Sequence, residues 1–325
     1  EIVEIAQHRF PHPSALPGKC IVIENNYQNE WIERKPVADD YVNMSSHDLR
    51  NIIRDAGIVG LGGAAFPAAV KQTEVGIKTL ILNGVECEPY ISCDDMLMRE
   101  RADDIIKGAQ IIAHIIKAEN CVIAIEDNKP EAITAVTHAV QHSGSGRIKV
   151  QTVPTIYPSG SERQLIKVIT GEEVPVNGLP SDIHALCHNV ATGYAVYRAV
   201  YEAEPLLSRI VTVTGRGVNA PRNLEVDIGT SIHDCIDYCG GYKKGARALI
   251  MGGPMMGLTL DTDELPIVKS SNCLLVTAGI DITLPSSEVH MPCIRCGKCV
   301  DVCPANLLPQ QLYWFAGSKH CLLYT

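Results

Sequence analysis

The chain has few aromatic residues, no long apolar run and no excess of positive charge. Aromatic side chains make up 5% of the 325 residues, and a charged fraction of 20% is ordinary for a globular protein. No run approaches the roughly 20 apolar residues that cross a bilayer, so no transmembrane helix is predicted. The formal net charge of -9 argues against a nucleic-acid partner, because phosphate backbones select basic surfaces. The length then favours about two or three globular domains.

A disulfide framework is also absent, although the chain has 13 cysteines. Most of them are scattered, and in a chain of this length they do not resemble the pattern that cross-links small secreted domains. We therefore predict a reducing compartment.

Four cysteines, in contrast, lie close together in the run Cys293-Ile-Arg-Cys296-Gly-Lys-Cys299-Val-Asp-Val-Cys303-Pro. Its C-x₂-C-x₂-C-x₃-C-P spacing is typical of bacterial ferredoxins, whose thiolates hold 4Fe-4S clusters. Zinc is the alternative metal, but structural zinc sites favour two separated C-x₂-C pairs. We expect Cys293, Cys296 and Cys299 to ligate one cluster and Cys303 to serve a second. Only Cys321 follows the run, so we expect the iron–sulfur module to be incomplete.

Alternating strands and helices fill the middle of the chain. This order is typical of an α/β domain with a parallel sheet. Apolar runs and helical spacing predict strands at 78–82, 121–125 and 148–153, and helices at 46–57, 101–118, 130–141, 161–169 and 184–199.

Two β-rich segments flank this domain. Residues 1–36 predict short strands at 1–5, 19–23 and 30–34, separated by prolines. After the α/β domain, the order of predicted elements resembles a β-grasp module: strands at 209–213, 225–228 and 248–251, with a helix at 231–238.

Several polar loops are expected at the carboxyl edge of the parallel sheet, where open α/β folds bind ligands. A glycine-rich loop at 60–67 lies between two helices and is therefore not a Rossmann fingerprint. Its bare amides can approach a phosphate or a flat ring, and Lys71 follows after one short helix. The other loops are Asn83–Pro89, Tyr157–Glu162 and the segment His188–Thr192.

These loops carry a family resemblance. Gly-Leu-Gly-Gly-Ala-x-Phe-Pro, Asn-Gly-x-Glu-Cys-Glu-Pro-Tyr, Tyr-Pro-Ser-Gly and Cys-Ile-Arg-Cys-Gly-Lys-Cys resemble the C subunit of the Rnf ion-translocating electron transport complex, over nearly the whole chain. More distantly, the α/β domain is similar to the flavin subunit of respiratory complex I. The resemblance implies four parts: a barrel-sandwich remnant (1–36), an FMN/NADH-binding domain (40–207), a soluble-ligand-binding β-grasp domain (208–265) and an incomplete 4Fe-4S ferredoxin-type domain (285–325).

Carried over by position, the resemblance also implies the residues of the site. We expect Glu86 to lie beside the flavin and Glu88 nearer the nucleotide, as the two catalytic candidates, with Phe66 also on the nucleotide side. The FMN-binding candidates are Gly62, Gly63, Lys71, Asn83, Glu86, Tyr157, Gly160, Glu162, Asn189 and Thr192.

The sequence departs from the family pattern at specific positions. Ala65 replaces the glycine that usually precedes Phe-Pro, so the loop is strained if that position needs a positive φ. Leu61, Val85 and Ser161 stand where the flavin subunit of complex I has Arg, Asp and Glu. The second cysteine run of the family is absent from these 325 residues, so the two clusters of the intact family are expected to be incomplete here.

The resemblance implies a peripheral oxidoreductase subunit on the cytoplasmic face of the bacterial inner membrane. It would pass electrons between NAD(H), FMN and 4Fe-4S clusters, with other subunits of a membrane complex as partners and a ferredoxin-type protein as an indirect one. Two alternatives stay open: a scaffold that has lost the nucleotide site, and a zinc-stabilised β-grasp ligand binder. A visible spectrum separates them, because flavin, an iron–sulfur cluster and zinc differ in absorption.

Overall fold

A computed structural model describes residues 1–28, 30–73, 76–279, 293–303 and 306–318. Two compact units are present, Glu1–Asp281 and Ile282–Thr325. The first unit contains the parallel-sheet domain and the β-grasp domain. The second contains the cysteine run.

The amino-terminal segment forms a two-stranded antiparallel sheet of β1 (Ile2–His8) and β2 (Gly18–Ile23). The strand predicted at 30–34 is wrong, because these residues pair with no strand. Instead, the Arg34 guanidinium lies 4.3 Å from the centre of the Trp31 ring and 3.2 Å from a carboxylate oxygen of Glu204. An ion pair with the α/β domain therefore contacts this segment.

The α/β domain has a four-stranded parallel sheet with the order β5-β4-β3-β6. Its strands are β3 (Thr79–Gly84), β4 (Asn120–Glu126), β5 (Ile148–Val153) and β6 (Ala185–Asn189). The predicted α/β class with a parallel sheet is confirmed. All four strands point the same way, so their carboxyl ends share one edge.

Seven helices surround this sheet in the described part of the chain. The central one buries isoleucines at helical spacing, among them Ile105, Ile112 and Ile116, as its sequence pattern predicts. The helices are α1 (Ser46–Asp55), α2 (Ala68–Lys71), α3 (Cys93–Glu100), α4 (Ala102–Ile116), α5 (Pro130–His142), α6 (Glu162–Thr170) and α7 (Val190–Tyr201), with short 3₁₀ helices at Ala38–Asn43 and Pro180–Ile183.

One predicted helix is corrected. The helix predicted at 184–199 is strand β6 followed by helix α7. Residues Ala185–His188 are buried and pair with β3 as a parallel edge strand. The Asn189 side chain then accepts a hydrogen bond from Ala191 N at 2.8 Å and caps α7.

The cap of α1 is Ser45, whose hydroxyl accepts from Asp48 N at 3.1 Å. Helix α3 has no counterpart among the predicted elements.

The β-grasp domain has a five-stranded mixed sheet with the order β10-β9-β11-β7-β8 and one helix packed on it. Only β11 and β7 run parallel. The predicted β-grasp module is confirmed in class and extended by two strands. Its elements are β7 (Ser208–Thr214), β8 (Arg222–Asp227), α8 (Ile232–Tyr238), β9 (Ala246–Met251), β10 (Leu258–Leu260) and β11 (Cys273–Ala278).

In its described residues, the second unit contains two short helices, α9 (Lys298–Asp301) and α10 (Pro309–Gly317). The predicted domain 285–325 is described only where these helices and the neighbouring cysteines lie. Of the helices in the described ranges, none combines the length and the apolar character that crossing a bilayer requires.

Candidate flavin site at the carboxyl edge of the sheet

The carboxyl end of β3 is tied to two neighbouring loops by Asn83. Its amide nitrogen donates to the carbonyl of Gly160 at 2.8 Å, and its amide oxygen accepts from Val85 N at 2.9 Å. The Asn189 amide, at the end of β6, lies 3.4 Å from the Asn83 carbonyl. Three of the predicted residues therefore meet at one place on the sheet edge.

The loop between β5 and α6 packs closely on the segment that follows β3. A Cβ added at Gly160 would lie 2.6 Å from the carbonyl oxygen of Val85 and 3.0 Å from the Cys87 thiol, so only glycine fits there. Tyr157 is 39% exposed at the start of this loop. Burial raises the pKa of Tyr157, and the charge of the Glu88 carboxylate adds to the effect.

Lys71, at the end of α2, lies against the first turn of α6. Its ammonium is 2.5 Å from a carboxylate oxygen of Glu162, and both side chains are partly exposed, by 27% and 41%. A cation in this position can accept a second anionic partner from solvent, because water still reaches it.

The glycine-rich loop is held at the same edge by buried groups. The Thr192 hydroxyl, fully buried in α7, accepts from Leu61 N at 3.0 Å, and the buried Arg209 donates to the Leu61 carbonyl at 3.2 Å. A Cβ added at Gly62 would lie 3.3 Å from the Asn189 Cβ. The loop therefore rests directly on the start of α7.

Two residues of this loop have a backbone conformation that suits glycine. Gly63 has φ +110° and Ala65 has φ +50°. The departure at Ala65 thus falls at a position of positive φ, where a Cβ costs about 1–2 kcal/mol. Phe66, the next residue, is 52% exposed beside the loop.

Glu86 is buried, and its carboxylate is fully engaged. One oxygen accepts from Asp94 N at 2.9 Å, and the other lies 3.1 Å from the Lys129 ammonium and 3.3 Å from Asp95 N. These contacts stabilise the amino-terminal turn of α3, where a negative charge is favourable. The Glu86 carboxylate therefore joins the segment after β3 to the start of α3 and to Lys129.

Asp94 connects the first turn of α3 to Asn189. The Asn189 amide donates to an Asp94 carboxylate oxygen at 2.6 Å. Burial raises the pKa of Asp94 to about 7, and the neighbouring Glu86 carboxylate adds to the effect. In the described residues, the ligand atoms of Glu86, Cys93 and Asp94 come within 4.8 Å of one another. Lys129 already neutralises this group, so it carries no metal assignment.

Glu88 points to the β-grasp domain. One carboxylate oxygen accepts from the backbone nitrogen of Met255 at 3.0 Å. The other oxygen is buried and has no hydrogen-bond partner in the described ranges. Glu86 and Glu88 therefore have different partners: Glu86 contacts α3 and Lys129, and Glu88 contacts the β-grasp domain.

The residues at this edge fit the chemistry of FMN. Lys71 offers an ammonium for a phosphate, and a Cβ at Gly63 would meet nothing within 4 Å, so the loop backbone is open on that side. The Ser159 hydroxyl is buried and has no hydrogen-bond partner among the described residues. Buried polar groups are usually paired, so this hydroxyl suits a contact with a polar ligand. The aromatic rings of Phe66 and Tyr157 offer apolar surface for a flat ring.

Sequence reasoning missed Asp94, Lys129 and Arg209. Asp94 lies on α3, which the sequence pattern does not predict, and Lys129 follows β4 after Glu126, in a turn that resembles any solvated loop. Arg209 reads as the first residue of a β-grasp strand, although it is buried and contacts the glycine-rich loop. No signal in the sequence connects these residues to the site.

The four cysteines of the run lie in the second unit. Cys293, Cys296 and Cys299 are exposed and Cys303 is half-buried. The Cys299 thiol lies 3.2 Å from Gln310 Oε1, and Leu307 N donates to the Cys303 sulfur at 3.4 Å. Within the described ranges the four thiols do not come together as a group of three or more. Their soft donor atoms and the short helix α9 fit iron–sulfur ligation.

Two family matches lie within the first unit. Residues 53–198 match the Nuo51 FMN-binding domain, and residues 210–259 match the SLBB domain. The two ranges lie inside the α/β and β-grasp parts described above.

The chain is also similar to curated proteins named as the C subunit of an ion-translocating oxidoreductase complex. It is 45% identical over 322 residues to the one from Serratia proteamaculans, 46% over 323 residues to that from Pseudomonas aeruginosa, and 47% over 320 residues to that from Haemophilus influenzae strain PittEE. In each case 98% of this chain is covered, but only 45%, 41% and 48% of the relative. The resemblance seen in the motifs is confirmed. The chain spans less than half the length of these relatives.

A solved structure shares the fold. An NAD+-reducing NiFe hydrogenase in its H₂-reduced state superposes with a TM-score of 0.64 at 18% identity, over 74% of this chain and 49% of that one. At this identity the likeness concerns the fold alone.

Proposed function

We propose that this chain, which carries a Nuo51-type FMN-binding domain and an SLBB domain, is the electron-transfer part of a C subunit of an ion-translocating oxidoreductase complex. It would pass electrons between NAD(H), FMN and 4Fe-4S clusters. The similarity to the curated C subunits supports this proposal, and so does the pair of domain matches. We further propose that it lies peripherally on the cytoplasmic face of a bacterial membrane, bound to other subunits and served indirectly by a ferredoxin-type partner.

One observation carries the proposal. Four loops that are far apart in the sequence are joined by hydrogen bonds at the carboxyl edge of one parallel sheet. Asn83 binds the Tyr157–Glu162 loop, Asn189 binds the end of β3, and Thr192 binds the glycine-rich loop. Convergence of polar loops at this edge is how open α/β sheets build ligand sites.

When bound, FMN supplies the exchange between a two-electron nicotinamide and a one-electron cluster. The residues of the chain would bind and orient it. Lys71 would hold the phosphate by charge, and the amides of Gly62 and Gly63 would add backbone donors. Asn83 and Asn189, already fixed by their own hydrogen bonds, would keep the loops in position.

Glu86 and Glu88 act in this proposal through position and charge. Glu86 would keep a negative charge fixed beside the flavin, because Lys129 and two backbone amides hold its carboxylate. Glu88 follows the end of β3 and contacts the β-grasp domain through Met255 N, and a nucleotide would enter on this side.

The test is flavin binding by the purified chain. Lys71→Ala is expected to weaken FMN binding at least about tenfold, which corresponds to ~1.4 kcal/mol, because one charge-assisted contact is lost. Titration of flavin fluorescence measures the dissociation constant. Lys167→Ala is the control, since Lys167 is an exposed lysine of the neighbouring helix α6, paired with Glu173 at 3.3 Å.

Equal flavin affinity of the Lys71 and Lys167 variants would contradict the assignment of Lys71. A wild-type chain without flavin affinity would support the alternative of a scaffold that has lost the nucleotide site. A colourless protein that binds only zinc would support the alternative of a zinc-stabilised β-grasp ligand binder.

A further inference from the structure

The β-grasp domain touches the candidate flavin site through its β9–β10 loop, Gly252–Gly257. The Met255 backbone nitrogen donates to a Glu88 carboxylate oxygen at 3.0 Å. Met255 and Met256 are 56% and 82% exposed. Methionine is an apolar residue that adapts its shape to what it contacts. Two neighbouring exposed methionines therefore suit a binding surface.

The loop is built to sit directly on Glu88. A Cβ added at Gly253 would lie 2.6 Å from the Glu88 Cδ and 2.9 Å from its Cβ, so only glycine allows this approach. At the other end, a Cβ at Gly257 would lie 2.5 Å from Ile250 Cγ2. The backbone of the loop therefore lies directly on the Glu88 side chain, and both methionines of the loop are exposed.

Further contacts fix the same two domains beside the site. Ser92 N donates to the Thr212 hydroxyl at 3.1 Å, and the Lys269 ammonium donates to the Gly57 carbonyl at 2.6 Å. Arg209 also donates to the Leu61 carbonyl. These three contacts join the glycine-rich loop, and the segments at Gly57 and Ser92, to the β-grasp domain. The Gly252–Gly257 loop thus belongs to a surface that is already joined to the flavin domain.

We infer that Glu88 is a positioning residue: its carboxylate fixes the Gly252–Gly257 loop, so that Met255 and Met256 form the β-grasp wall of the surface that contacts the nicotinamide dinucleotide. The identity of the ligand rests on the proposed function. The contact between Glu88 and the loop does not. It assigns a part of the dinucleotide site to the second domain. Tyr157 and Phe66 are the exposed aromatic residues that the flavin domain offers to the same ligand.

The anchor is tested on the ligand-free chain by amide hydrogen exchange. Glu88→Ala is expected to speed exchange at the Met255 amide at least about tenfold, because a hydrogen bond to a charged group is lost. Glu88→Gln keeps an acceptor oxygen and is expected to change exchange less than Glu88→Ala does. Unchanged exchange at Met255 in Glu88→Ala would overturn the anchor.

Gly253→Ala tests the same contact from the loop side, and it also serves if Glu88→Ala does not fold. It is expected to speed exchange at Met255, because the new methyl group displaces the Glu88 carboxylate. In the double variant the two effects are expected to be less than additive, since both act on one contact. Strict additivity would show that the substitutions act separately and would contradict the inference.

The wall is tested by NADH affinity of the FMN-loaded chain, measured by fluorescence titration. Met255→Ala and Met256→Ala are each expected to raise the dissociation constant about threefold or more with FMN content unchanged, and Glu88→Ala to raise it further. Val176→Ala removes an exposed apolar side chain elsewhere and is the control. If Glu88→Ala and Glu88→Gln weaken NADH binding equally while the methionine variants do not, Glu88 contacts the nucleotide itself and the inference is wrong.

The two levels of failure are distinguishable. A wild-type chain that binds neither FMN nor NADH contradicts the proposed function and, with it, the wall. The exchange measurement still decides whether Glu88 fixes the loop, because it requires no ligand.

Discussion

In the α/β domain, the side chains that surround the candidate flavin site are held by one another: Asn83 by Gly160, Lys71 by Glu162, and Glu86 by Lys129. In the cysteine run the thiols that would ligate iron are mostly exposed, and among the described residues their hydrogen bonds are to Gln310 and Leu307. Both regions carry recognisable motifs. They differ in what fixes the geometry around the cofactor.

The difference follows from the strength of the bonds that each cofactor forms. A flavin is bound by hydrogen bonds and apolar contacts, and each of them is weak, so the protein must hold its partners in place beforehand. Metal–thiolate bonds are strong enough to organise the segment that supplies them. A network of hydrogen bonds is therefore expected around the flavin and is not required around the cluster.

The largest effect is expected from Cys296→Ser, which removes a central ligand of the run. Anaerobic reconstitution should lose the iron bound through this run, because a hydroxyl is a poor ligand for a cluster. The FMN affinity of the α/β domain should be unchanged if the two regions are organised independently. Iron analysis and flavin titration measure the two outcomes.

Cys20→Ser is the control for Cys296→Ser, since Cys20 lies in β2, far from the run in sequence. Iron uptake by the Cys296 variant equal to that of the control would contradict the ligand assignment. A parallel loss of flavin binding would show that the regions are not independent.

A smaller effect is expected from Lys129→Met, which leaves the Glu86 carboxylate buried without its cation. Both residues are less than one-tenth exposed, and breaking such a pair costs about 3–5 kcal/mol. Chemical denaturation measures the free energy of unfolding. Arg54→Met is the control, because Arg54 and Asp55 form an exposed pair, whose loss costs ~1 kcal/mol or less. Equal losses in the two variants would mean that Glu86 needs no cation and that the site is less preorganised than described.

The smallest effect is expected from Ala65→Gly. Relief of the positive φ is worth about 1–2 kcal/mol, and the added freedom of glycine in the unfolded chain offsets about 0.4–1 kcal/mol of it. Thermal unfolding should therefore show a slightly more stable protein, and FMN affinity should be equal or higher. Gly63→Ala is the opposite variant, since it places a Cβ at φ +110° and should destabilise the loop. A destabilised Ala65→Gly variant would show that this loop is not strained.

Much of the fold is predictable because it depends on local patterns. The strand predicted at 148–153 has its observed bounds, and the helix that begins at Pro130 follows from proline at its first position and apolar spacing. The residues 185–188 are predicted to be helical because they are contiguous with a strong helical pattern. Only pairing with β3 makes them a strand, and no local signal distinguishes the two.

The sequence alone determined the types of group available: a glycine-rich loop, a lysine, amides and carboxylates at a strand end, and four cysteines at ferredoxin spacing. It also indicated the family, since these motifs are specific. Only the tertiary structure brought Asp94, Lys129 and Arg209 to the same sheet edge, and only it placed Glu88 under a loop of another domain. The physical reason is that spacing along the chain limits which residues are neighbours within one helix or strand, whereas contacts between distant segments depend on the packing of whole elements.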